Sequence, residues 1–154
     1  GAQMVSVKAG GSGVVTDTHL HWANKSPFPK YSSTIVVEDL IYMALDDSFL
    51  VCIEAHTGET VWKERVGGKF RACPVYVDGL LYFFSLEGVT TVIKPGRAFE
   101  KIATNTLEEG VANDDPRRGP GFMASPAVVG SAFILRTRHH LFRIETDEPH
   151  LLDR

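Results

Sequence analysis

Apolar and polar positions fall into short alternating blocks along this chain. Between Ser32 and Trp62 four apolar runs (Ser33–Val37, Leu40–Leu45, Phe49–Ala55 and Thr60–Arg65) are divided by Glu38-Asp39, Asp46-Asp47-Ser48 and Thr57-Gly58. Runs this short and rich in Val, Ile, Tyr and Phe predict strands, and polar breaks of two to four residues predict hairpin turns. The stretch therefore predicts a four-stranded antiparallel meander. The pattern then recurs. A shift of 40 places Ser33–Val37 on Cys73–Val77, Glu38-Asp39 on Asp78-Gly79 and Leu40-Ile41-Tyr42 on Leu80-Leu81-Tyr82. A further shift of 52 places Cys73-Pro74 on Ser125-Pro126, followed by Ala127–Val129 and Ala132–Leu135. Leu141-Phe142-Arg143-Ile144 aligns with the third run once one turn residue is dropped. Looking backwards, Trp22 lies 40 residues before Trp62, and Val5–Ala9 matches Val51–Ala55.

A meander with a period near 40 is the sequence signature of a propeller blade. One meander alone leaves an apolar face in water, and stacking neighbours radially covers it. The nearly continuous apolar runs Ile35–Val37 and Leu80–Phe84 fit strands covered on both sides. The expected fold is all-β: a single β-propeller segment, residues 1–154, of four-stranded antiparallel blades, about three and a half in number. The units are a half-blade at 4–23, blades at 32–65, 72–103 and 123–152, and an inserted loop at 105–122. An antiparallel sandwich with accidental periodicity is the rival, and three matched copies argue against it.

The block Ala55-His56-Thr57-Gly58-Glu59-Thr60-Val61-Trp62 resembles the Ala-x-x-Gly-x-x-x-Trp signature of pyrroloquinoline-quinone-type (PQQ-like) propellers. Cys73-Pro74 and Ser125-Pro126 are similar to that family's small-residue-Pro opening of the innermost strand, and Asp78-Gly79 to its first turn. The resemblance implies that Trp22 and Trp62 each dock on the neighbouring blade near its glycine turn. It departs from the family where Ile102, and Leu151 or Leu152, stand at the tryptophan position, so apolar packing alone must serve there. Catalytic members use calcium, a carboxylate and a tryptophan floor beneath the quinone. No such set can be assembled from matching motifs, and neither an adjacent Cys-Cys pair nor Cys-x-x-Cys-His is present. Non-catalytic bacterial members include the propeller lipoprotein of the outer-membrane barrel-assembly machinery and sensor domains joined to Ser/Thr kinases. The resemblance thus implies a binding or scaffolding module in a larger bacterial protein, in the periplasm or cell envelope, with a protein partner. A fragment of a quinone-dependent dehydrogenase, with PQQ and calcium, is the enzyme alternative. A kinase-type sensor domain is the other.

Composition narrows this picture without sharpening it. With 154 residues, 44% hydrophobic and 23% charged, the chain can bury a real core. A net charge of −3 gives no electrostatic reason to expect nucleic acid. No apolar segment approaches the roughly 18–20 residues that span a bilayer, so this segment is expected not to insert in a membrane. The N-terminus has no signal-peptide apolar core. Cys52 and Cys73, each within a predicted strand, are expected to be buried free thiols and leave the redox compartment undecided.

Candidate chemistry is sparse. His139-His140 falls in a predicted turn with no fixed acidic or thiol partner, so a solvated turn is expected over a metal site. His19 and His21 are expected to point outward from one strand. Gly10-Gly11-Ser12-Gly13 lies between strands with no helix expected after it, so the helix-terminus mechanism for anions is missing. Met4, Met43 and Met123 are expected as core filling. Neither Gly-x-Ser-x-Gly nor His-Glu-x-x-His occurs, and no catalytic, cofactor-binding or metal residues are assigned.

The informative irregularity is the insertion, NTLEEGVANDDPRRGPGF, at Asn105–Phe122. Its glycine, proline and mixed charge predict a loop. Strand alternation places it on one face with Asp46-Asp47, Leu86–Gly88 and Thr137–His140, and places Thr57-Gly58, Asp78-Gly79 and Gly10–Gly13 on the other. Asp114, Asp115, Arg117 and Arg118 are the candidate partner-facing residues. Uncovered strands of the terminal units also predict a homodimer.

Overall fold

The computed structural model describes residues 3–25, 28–107 and 121–145. The first sheet pairs β1 (Met4–Val7) with β2 (Leu20–Asn24), and one helical turn, α1 (Thr16–His19), lies between them. The second sheet runs β3 (Ile35–Val37), β4 (Leu40–Ala44), β5 (Phe49–Glu54) and β6 (Thr60–Arg65) in chain order. The third repeats it with β7 (Val75–Val77), β8 (Leu80–Phe84), β9 (Val89–Lys94) and β10 (Glu100–Thr106). The fourth holds β11 (Ala127–Val129), β12 (Ala132–Arg136) and β13 (Leu141–Glu145). Every described pairing is antiparallel.

Local chemistry sets the turns. Asp78-Gly79 joins β7 to β8 with both residues at positive φ, 49° and 78°, as a two-residue primed hairpin turn requires. Burial follows from stacking. All five residues of β4 are buried because its two faces serve different neighbours. Leu40, Tyr42 and Ala44 pack with Leu81, Phe83 and Ile93 of the third sheet. Ile41 and Met43 pack with Met4 and Trp22 of the first. In β8 the alternation repeats, Leu81 and Phe83 facing back and Tyr82 and Phe84 facing the fourth sheet's Phe133 and Leu135.

Several expectations are corrected. Cys73 lies outside the ladder, which begins at Val75 after Pro74, a residue with no N–H to give; its thiol is free but only half-buried, whereas Cys52 is buried and free. Met43 is buried and Met4 half-buried, but Met123 is 51% exposed. His19 ends α1 and is half-buried, with only His21 on β2, and a helical turn does follow Gly10–Gly13. Strand β10 continues through Thr106, two residues into the expected insertion. Positions 149–152, expected as an outer strand, lie outside the described residues.

Tyr42 and Cys52 face each other across β4 and β5. Burial, the first cause for each, raises the Tyr42 phenol to about 12 and the Cys52 thiol to about 11. Both groups favour the neutral form in the folded chain, so their contribution is complete below the unfolded values, roughly 9 for Cys and 10 for Tyr. Stability should therefore fall as pH rises from about 9 towards 12. Urea midpoints taken across that range check this, and Cys52→Ala should flatten the lower part of the fall. A midpoint constant from pH 9 to 12 would contradict it.

Candidate binding face

Consecutive sheets are fastened by a repeated device at the Thr57-Gly58 face. Trp22 Nε1 donates to Ala55 O at 2.9 Å, and Asn24 Nδ2 donates to Gly58 O at 2.9 Å. One sheet on, Trp62 Nε1 donates to Gly96 O at 3.0 Å, and Gly96 N donates to the Tyr42 hydroxyl at 2.8 Å. The Trp62 indole lies between Tyr42 and Phe99, with ring centroids 5.9 and 5.2 Å away. Arg97 reaches back to Asp39 at 2.7 Å and also to Glu54. These polar groups are spent on holding sheets together. At the third interface no tryptophan stands at this position among the described residues. Cys52 pairs with Trp62, and its counterpart Val92 pairs with Ala103, not Ile102. Strand β10 carries the same bulge as β6, at Ile102 as at Val61, but the turn before it is one residue longer, so Ile102 is 48% exposed and Ala103 stands in the tryptophan's place.

The innermost strands are linked at their entries by residues one repeat apart. Ser33 N donates to Cys73 Sγ at 3.3 Å, and Cys73 N donates to Ser125 Oγ at 2.9 Å. Burial alone would raise the Cys73 thiol, but its hydrogen bonds with Ser125 and Ser33 hold it below its ordinary value.

On the opposite face the exits of the second and third sheets are each tied to a hairpin turn. Val66 N donates to Ser48 O at 3.0 Å, and Leu107 N to Gly88 O at 3.0 Å. Leu86 N donates to Lys69 O at 2.8 Å, and Lys69 N to a Glu87 carboxylate oxygen at 3.0 Å. A cavity of about 370 Å³ opens here between the third and fourth sheets. Leu107 and Phe122, which flank the inserted segment, both line it. Phe84, Phe133, Leu135 and Ile144 form much of the rest. Asp114, Asp115, Arg117 and Arg118 lie outside the described residues. Sequence reading placed the insertion on this face but missed the cavity; its available signal was the exchange of Ala44 and Leu50 for Phe84 and Thr90 under the shift of 40.

The other candidates add no chemistry. His139 and His140 occupy the turn between β12 and β13, which Thr137 N closes by donating to His140 O at 2.9 Å. Among the described residues no three His, Cys, Asp or Glu side chains gather to hold a metal ion. No helix among them is long and apolar enough to cross a membrane.

Comparison with known proteins supplies the architecture. No family model matches the chain, and no curated protein matches it. Among solved structures it is similar to BamB from Moraxella catarrhalis, with a TM-score of 0.53 and 15% identity over 75% of this chain. It is also similar to a europium-containing methanol dehydrogenase, with a TM-score of 0.50 and 13% identity over 66% of this chain. Both are β-propellers. The fold is that of a β-propeller. Each sheet is accordingly a blade. The chain spans 36% of the BamB chain and 22% of the dehydrogenase chain.

Proposed function

We propose that this propeller segment is a non-catalytic module that binds or scaffolds a protein partner, within a larger bacterial protein of the cell envelope. One observation carries the reading: the two ends of the inserted segment, Leu107 and Phe122, flank an apolar cavity on the face that also holds the Ser85–Gly88 and Thr137–His140 turns. Loops on a rigid sheet scaffold are where binding concentrates, and here they rim an apolar recess. The likeness to BamB and to the dehydrogenase supports the propeller scaffold and leaves the partner to experiment. Photo-cross-linking residues placed at Glu87 or Met123 should give a discrete adduct in bacterial cells, while the same residues at Glu59 or Asp78 should not. Equal labelling from both faces, or none from the insertion face, would overturn the reading. Charge reversal at Arg117 and Arg118 should weaken the adduct.

The module takes no pyrroloquinoline quinone and no calcium with useful affinity. A calorimetric titration of both together should stay flat, and one-to-one micromolar binding would restore the dehydrogenase reading.

Self-association is also expected. Val5 and Val7 of the first blade are 44% and 53% exposed, and Leu141 and Ile144 of β13 are 71% and 41% exposed. Apolar side chains exposed to solvent favour association between copies. Light scattering of the 154-residue chain at low micromolar concentration should give a dimer mass. A monomer mass rules it out.

A further inference from the structure

The space between the third and fourth blades differs from the one before it in where its bulk lies. The ladders make the two spaces comparable residue by residue: Leu81 pairs with Ile93 as Phe133 pairs with Ile144, and Ala44 pairs with Leu50 as Phe84 pairs with Thr90. In the earlier space the outer strands supply Leu50 and Trp62, 0% and 8% exposed, and the inner strand's residue paired with Leu50 is the small Ala44. In the later space the outer positions hold Thr90 and Ala103, while the inner ones hold Phe84 and Phe133, where the earlier space has Ala44 and Leu81. Bulk has moved inward. Phe133 sits 4.8 Å from Tyr82 and 5.8 Å from Phe84, centroid to centroid, so the inner half is closed by rings. The outer half is left as the cavity of about 370 Å³, with Thr90 and Asn105 as its polar rim.

We infer that this cavity is a binding site for a free, small, largely apolar aromatic molecule of one or two fused rings. Its volume falls in the range of small-molecule sites, roughly 300–1,000 Å³. Largely apolar cavities accept apolar guests, and the ring walls of Phe84 and Phe133 favour an offset or edge-on aromatic guest. The site lies inside the blade interface, with Phe122 and Leu135 3% and 5% exposed. A free molecule held there would sit beneath the loops that the partner-binding reading uses. The inference goes beyond the protein-partner reading and does not depend on it.

Indole is a suitable probe, titrated into the full chain with isotope-labelled Leu, Ile and Val methyl groups. Saturable one-site shifts should appear at Leu107, Leu135 and Ile144, while Leu50 and Ile53 in the filled interfaces stay still. Thr90→Leu, which returns the bulk found one blade earlier, should weaken indole binding about ten-fold or more. Absence of saturable shifts, shifts spread over both spaces, or undiminished binding by Thr90→Leu would overturn the site. Failure of face-specific cross-linking with indole binding intact would leave the site standing and remove only the protein-partner reading.

Discussion

Trp62→Ala should be the most damaging single truncation in the second blade, costing roughly 3–5 kcal/mol. Three losses coincide. The indole is 8% exposed, so its removal opens a large cavity between second and third blades. The Gly96 carbonyl loses its 3.0 Å donor across that interface. Tyr42 and Phe99 lose the ring that both of them contact. For a domain of this size such a loss lowers the thermal midpoint by roughly 6–20 °C. Trp62→Phe is the milder test, because it keeps one aromatic ring while deleting the N–H and part of the buried indole; its cost should be about 1–3 kcal/mol. Denaturation curves of both variants check this. An unchanged midpoint for Trp62→Ala would mean that the ring does not hold the blades together.

How far the sequence speaks depends on how local the determining chemistry is. The meanders were legible because strand and turn residues are neighbours in the chain: Asp78-Gly79 marks a primed turn wherever it stands between apolar runs. The docking of Trp22 and Trp62 was legible because the repeat supplies two copies of the same block. Ile102 was misplaced because the turn before β10 is one residue longer than the turn before β6, and one residue of slip exchanges the buried and exposed sides of a strand. Met123 looked like core by type alone, yet it is 51% exposed in the approach to the fourth blade. The cavity was the hardest to foresee. Its walls come from residues 82 to 144, and whether Phe84 compensates for Ala103 depends on which strand is inner and which is outer. Only the stacked sheets show that.

Gly58→Ala should cost about 2–5 kcal/mol, more than the same change at Gly79, and the difference isolates the docking contact. Both glycines hold positive φ, 75° and 78°, where an L-residue costs roughly 1–2 kcal/mol. Around Gly79 nothing lies within 4 Å of an added Cβ, so conformation is the whole cost there. At Gly58 an added Cβ would stand 2.7 and 2.9 Å from carbons of the Trp22 indole. That ring cannot simply retreat, because its Nε1 is tied to Ala55 O at 2.9 Å, and Asn24 holds the Gly58 carbonyl from the same strand. Overpacking of this kind adds roughly 1–3 kcal/mol. A double-mutant cycle with Trp22→Ala gives the cleaner reading. Once the indole is gone, Gly58→Ala should cost only what Gly79→Ala costs. Equal costs for the two glycines in the parent chain would instead mean that the first and second blades are not pressed together at this turn.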